Sequence, residues 1–162
     1  MECKEIRIGI GDLRVAKSPD KLTTVGLGSC IGIAIFDKGN KIGGLAHIML
    51  PDSSKFNKIT NELKFADIAI PILIKKMKEL GANERSLRAK IAGGASMFSF
   101  TDKNMNMDIG DRNAEAVKAT LKKFKIPIDG EDLGGNKGRT VTLDTSNGAF
   151  YVKTIGQGLK EI

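Results

Sequence analysis

The sequence holds only two cysteines, Cys3 and Cys30, and a single histidine, His47. A disulfide framework needs more cysteines than that, and a Cys/His zinc site wants about four ligands. No metal is expected. The scarcity also has a positive use, because any imidazole acting as a base must be His47. No apolar run reaches the roughly 20 residues of a spanning helix, so membrane insertion is not expected. The segment Met1-Glu2-Cys3-Lys4-Glu5 lacks the apolar stretch of a signal peptide, and the chain is expected in the cytoplasm. Aromatics are few, with seven Phe, one Tyr and no Trp. No basic segment interleaves them as a base-stacking platform would, so nucleic acid is a disfavoured partner despite a net charge of +7. That charge fits an acidic protein partner or a solvated lysine-rich surface. The loop Leu133-Gly134-Gly135-Asn136-Lys137-Gly138-Arg139 fails the phosphate-loop spacing and reads as an ordinary tight loop.

What is present is a globular balance, 41% apolar and 28% charged over 162 residues, enough for one domain spanning 1–162 with its own core. Ile6, Ile8 and Ile10 alternate as in a strand, and Pro19-Asp20 marks a turn. Thr23 to Leu27 is extended. Ile31–Phe36 and Ile42–Met49 are apolar runs joined by Asp37-Lys38-Gly39-Asn40, the pattern of a hairpin. Leu63, Ala66, Ile70, Leu73, Met77 and Leu80 recur at helical spacing, with Gly81 as the stop and Pro71 expected to kink or break the helix. Leu87, Ala89 and Ile91 read as a strand closed by Gly93-Gly94. A second helix is expected over 113–124, with Asp111 near its cap and Ala114, Val117, Leu121 and Phe124 inward. After an extended Ile126–Ile128, a hairpin joins Arg139–Leu143 to Ala149–Ile155 through Ser146-Asn147-Gly148. The fold class is α+β, a layered mixed β-sheet domain covered by two main helices.

The segment Thr23-Thr24-Val25-Gly26-Leu27-Gly28-Ser29-Cys30-Ile31-Gly32 places a cysteine at a strand start between glycines. Such a turn can lift a thiol out of the sheet and aim free backbone N–H groups of Gly28, Ser29 and Cys30 at one spot, as an oxyanion site requires. The other reading is a buried structural cysteine. His47 stands alone in the apolar run Gly43–Pro51, where a histidine is often a hydrogen-bonded core residue. Its position argues otherwise. The midpoint of positions 30 and 47 falls inside the turn at 37–40, as a directly opposed antiparallel pair requires, and a cysteine facing a histidine is a nucleophile with its base.

Gly26-Leu27-Gly28-Ser29-Cys30, Ala46-His47-Ile48-Met49-Leu50-Pro51 and Ala89–Phe98, followed by Gly110-Asp111-Arg112-Asn113 and Gly134-Gly135-Asn136, together resemble the CheD family of chemoreceptor glutamine deamidases over nearly the whole chain. The resemblance implies a cysteine-hydrolase fold related to a bacterial deamidating toxin. It also implies a Cys-His-Thr triad on Cys30, His47 and Thr24, and a thioester route from glutamine to glutamate with no cofactor. Thr24 read from its residues alone is an ordinary strand threonine. The resemblance further implies methyl-accepting chemotaxis receptors as substrate, glutamate methylesterase chemistry as a side activity, and the CheC phosphatase as a partner. A mainly non-catalytic role in regulating CheC is the other function it allows. Phe98, in the turn after Gly93-Gly94, is either an anchor for a partner helix or a cap on the core. Cys3 has no evident role.

Overall fold

The computed structural model describes residues 2–55, 61–96 and 108–162. In chain order its strands are β1 (Glu5–Ile8), β2 (Asp12–Lys17), β3 (Lys21–Leu27), β4 (Ile31–Asp37), β5 (Ile42–Ile48), β6 (Leu87–Gly93), β7 (Ile128–Leu133), β8 (Arg139–Asp144), β9 (Phe150–Thr154) and β10 (Leu159–Glu161). Helix α1 (Ala66–Leu80) lies between β5 and β6, and α2 (Ile109–Lys123) between β6 and β7.

The strands form two mixed sheets, ordered β1-β3-β8-β9-β10 and β2-β5-β4-β6-β7. Leu22, Leu27, Ala34, Leu45, Val141, Leu143, Phe150 and Val152 fill the space between them. The other face of the second sheet, with Ile31, Ile33, Ile35, Ala46 and Ile48, packs on Ile70, Leu73 and Met77 of α1 and Val117 and Leu121 of α2. The architecture is therefore sheet, sheet, helices. Strands β4 and β5 are buried along nearly their whole length, because sheet covers one face and helices the other. That explains their continuous rather than alternating apolar sequences.

Both hairpins read from the sequence form, β4–β5 and β8–β9, but the first is shifted. Its ladder pairs Gly32 with His47 and Ile31 with Ile48, two positions from a direct Cys30–His47 pairing. The cause lies in the turn. Asp37 accepts hydrogen bonds from the backbone of Gly39, the backbone and side chain of Asn40, and the backbone of Asn83. Lys41 completes the loop with φ 52°, so the turn closes between Asp37 and Ile42 rather than around Gly39. A shift of two keeps every side chain on its face.

Other expectations are corrected at element ends. Strand β1 stops at Ile8, and Ile10 is exposed in the turn before β2. Helix α1 starts at Ala66, and Leu63 lies in a separate short 3-10 turn. Pro71 does not break α1, which runs through it. Only the Asp67 carbonyl loses an intrahelical partner, near the helix start. Helix α2 begins four residues early, and its cap is Asp108, whose side chain accepts from the Asp111 N–H.

Candidate active site

Cys30 immediately precedes β4, and His47 lies near the end of β5, the neighbouring strand. On β4 and β5 the residues facing the first sheet include Ala34 and Leu45. Cys30 and His47 fall in the same alternation: Cys30 joins that inter-sheet cluster, and His47 reaches Thr24 of β3 across it. Both side chains therefore face the first sheet. The shifted register makes them diagonal rather than opposed. The residue opposite His47 is Gly32, where a Cβ would come within 3.0 Å of Leu27 and 3.2 Å of Val141. No side chain can occupy that position without disturbing the packing of the sheets.

The imidazole is held on one side only. Thr24 Oγ1 lies 2.7 Å from His47 Nδ1 and 2.9 Å from the carbonyl oxygen of Ile8. A carbonyl can only accept, so the single hydroxyl proton of Thr24 goes to Ile8. Nδ1 must then carry a proton and donate it to Thr24. This leaves Nε2 unprotonated, and it has no hydrogen-bond partner among the described residues. The backbone of His47 is fixed as well, since its strand is paired on both edges, by β2 and β4. A free basic nitrogen on a fixed ring is what a general base requires.

Burial sets the charge state. His47 is fully buried, and loss of solvation pushes its imidazolium down to about 4. The same cause pushes the Cys30 thiol up, against a smaller opposing effect from its own backbone N–H. The resting pair is therefore a neutral thiol and a neutral imidazole. Cys30 is 9% exposed.

The loop that carries the cysteine is held from behind. The Gly28 carbonyl accepts from Ala95 N–H and the Cys30 carbonyl from Gly94 N–H, both at 2.9 Å. The Ser29 carbonyl accepts from Asn113 Nδ2 at 2.9 Å. Three successive carbonyls are thus drawn toward one wall. In trans peptides the N–H points away from the preceding carbonyl, so the amides of Ser29 and Cys30 point to the other side, where no carbonyl of the described residues takes them. Gly93 makes the approach possible, with φ +122° and an added Cβ 2.1 Å from the Cys30 oxygen. Arg139 braces the same corner, donating to the Gly93 and Gly134 carbonyls at 3.1 and 2.8 Å.

Of the residues read as a site, the fold joins Thr24 to His47 by a hydrogen bond and sets Cys30 on the same sheet face, diagonal to His47; Gly28 and Ser29 form the loop before Cys30, and Phe98 lies outside the described residues. Sequence reasoning missed Asn113, Gly93 and Arg139 as parts of the site; Asn113 and Gly93 sit in the quoted motifs, but no periodicity marks them. Cys3 lies at the surface, its thiol 3.1 Å from the Pro19 carbonyl, and belongs to no cluster. Among the described residues no group of His, Cys, Asp and Glu is arranged to hold a metal, and no helix is long and apolar enough to cross a membrane.

A family model described as CheD chemotactic sensory transduction matches residues 49–154. A protein of Clostridium botulinum named "Probable chemoreceptor glutamine deamidase CheD" is 63% identical over 162 residues, covering 100% of both chains. One of the same name from Clostridium tetani is 64% identical over 162 residues, covering 100% of this chain and 98% of its own. Among solved structures, the hypothetical protein YfiH of Bacillus licheniformis aligns with TM-score 0.50 at 16% identity, over 77% of this chain and 51% of that one. Neisseria meningitidis protein NMB0706, of the DUF152 family, aligns with TM-score 0.54 at 9% identity, over 83% of this chain and 65% of that one. The chain thus spans about half of the first structure and 65% of the second, and the likeness is one of fold.

Proposed function

The chain belongs to the CheD family, and on that premise we propose that it is a protein-glutamine deamidase acting on methyl-accepting chemotaxis receptors, with Cys30 as nucleophile, His47 as base and Thr24 as the residue that orients it. The observation that carries this reading is the unprotonated, unpartnered Nε2 of a buried histidine, fixed by Thr24 on the same sheet face as the cysteine.

The chemistry follows from those positions. When a glutamine side chain enters, Nε2 takes the Cys30 proton as sulfur attacks the amide carbon. The oxygen becomes an anion, and on this proposal the amides of Ser29 and Cys30 receive it. The imidazolium donates its proton to the leaving nitrogen, the C–N bond breaks, and ammonia departs, leaving a thioester. Nε2 then takes a proton from water as it attacks the thioester. The C–S bond breaks, glutamate forms, and the proton returns to sulfur. No cofactor is required. Creating an imidazolium in this buried site is unfavourable, so Thr24 and the developing oxyanion must stabilise it during the reaction.

A glutamate methyl ester presents the same carbonyl with methanol as leaving group, so methylesterase activity belongs to the same proposal. CheC, the partner implied by the resemblance, would dock at the mouth of the Cys30 site and inhibit competitively. Phe98 is the proposed anchor, and Phe98→Ala should weaken both CheC binding and receptor turnover. The test of the deamidase reading is mass spectrometry of a receptor cytoplasmic fragment after incubation, which should reveal a gain of about 1 Da at glutamine, the change from NH2 to OH. A fragment unaltered by wild-type protein would refute it.

A further inference from the structure

Asn113 is a polar side chain with no exposed surface, set in α2 among apolar residues. Its Nδ2 donates to the Ser29 carbonyl at 2.9 Å and to the Met49 carbonyl at 3.1 Å. Those carbonyls can only accept, which fixes the amide orientation and turns Oδ1 the other way. Oδ1 is buried and has no partner among the described residues, an unfavourable state for a desolvated acceptor. A residue selected for stability alone would not carry that loss. What Asn113 joins is the loop just before the nucleophile and the strand end just after the base.

From this geometry, and resting on the deamidase reading, we infer that Asn113 is a positioning residue for the oxyanion site. It holds the Ser29–Cys30 peptide with its carbonyl turned back toward α2, so that the Cys30 N–H faces the reacting carbonyl oxygen. It also ties that peptide to Met49, two residues beyond His47, so the donor and the base move as one unit. Helix α2 is itself seated against the same wall. A Cβ on Gly110 would lie 2.6 Å from the carbonyls of both Gly94 and Ala95, the residues whose N–H groups hold Cys30 and Gly28. The nucleophile loop is therefore gripped by adjacent donors, and among the described residues Asn113 is the only side chain that donates to it.

The role separates two reactions of Cys30. Attack on a carbonyl builds an oxyanion and needs the oriented N–H, whereas displacement of iodide from iodoacetamide builds none. Asn113→Leu, in a Cys3→Ala background, should lower kcat on a receptor cytoplasmic fragment by about 100-fold, the lower end of the scale of losing an oxyanion donor, with KM changed less than about 2-fold. The affinity of Cys30 for a peptide aldehyde of glutamic semialdehyde, which forms a hemithioacetal in the same site, should fall by a similar factor. The rate of iodoacetamide alkylation should stay within about 2-fold of the parent. Asn113→Ser, which keeps one donor but reaches fewer carbonyls, serves the same comparison if Asn113→Leu does not fold. Unchanged aldehyde affinity would overturn the inference, as would alkylation falling in step with kcat, the sign of general loosening. If the parent leaves the receptor fragment unmodified, the deamidase reading fails, and the ratio of aldehyde affinity to alkylation rate still decides the role of Asn113.

Discussion

The hydroxyl of Thr24 lies 2.7 Å from Nδ1 of His47, and because that hydroxyl already donates to Ile8, it accepts from the ring. A threonine thus selects which nitrogen of the only histidine is basic. Thr24→Val, close in shape, should allow the other tautomer and lower kcat by about 100-fold, the lower end of the scale of general base catalysis. Thr24→Ser should retain most activity. Nitrogen-15 chemical shifts of the ring give a direct check, since the wild type should have Nδ1 protonated at neutral pH. A wild-type ring protonated at Nε2 would contradict the assignment.

The depressed imidazolium of His47 has a consequence for stability. The folded form holds the ring neutral down to about pH 4, while the unfolded chain takes up a proton near 6.5. The stabilising contribution is therefore complete above about pH 6.5 and declines as pH falls toward 4. The loss from pH 7 to 5 should be about 2 kcal/mol. Denaturant unfolding of wild type and His47→Gln at both pH values isolates it, because the variant should lack this component. Equal losses in the two proteins would show that the ring does not titrate as its burial requires.

The raised thiol of Cys30 makes an opposite prediction from an ion-paired site. Alkylation of Cys30 by iodoacetamide should increase with pH through a midpoint above the free-cysteine value of about 8.5, since burial opposes the thiolate. Peptide mapping distinguishes Cys30 from the surface thiol of Cys3. A midpoint below 7 would mean that the resting pair is thiolate and imidazolium.

Gly93 is the tightest point of the site. Gly93→Ala would put a methyl 2.1 Å from the Cys30 carbonyl at a φ of +122°, a conformation that costs alanine of order 1–3 kcal/mol even without the collision. The variant should lose at least about 2 kcal/mol in denaturant unfolding, with reduced kcat in whatever fraction folds. Wild-type stability would mean that the β6–α2 wall has more freedom than this packing permits.

The fold was legible where local pattern and burial agree. The run Ile31–Phe36, the turn at 37–40 and the run from Ile42 lead to the β4–β5 hairpin, and helical spacing from Ala66 to Leu80 leads to α1. The register was not legible, because it depends on the backbone bonds to the Asp37 carboxylate rather than on strand composition. Strand β2 went unread because Arg14 and Lys17 interrupt its apolar character and its buried residues, Leu13 and Ala16, break the two-residue period. Cys30 and His47 were found because each stands out by type and spacing. Asn113 was passed over because periodicity arguments count apolar residues, and a buried asparagine acting on carbonyls 64 and 84 positions away leaves no local trace.

The central claim is that Cys30 carries out an amide hydrolysis on a glutamine side chain, and mass spectrometry of one reaction tests it. A receptor cytoplasmic fragment retaining its glutamines is incubated with wild-type protein or with Cys30→Ala. Glutamine peptides should gain about 1 Da with wild type and remain unchanged with Cys30→Ala, whose fold should be intact because removal of one small thiol creates little cavity. Equal modification by the two proteins, or none by the wild type, would contradict the account.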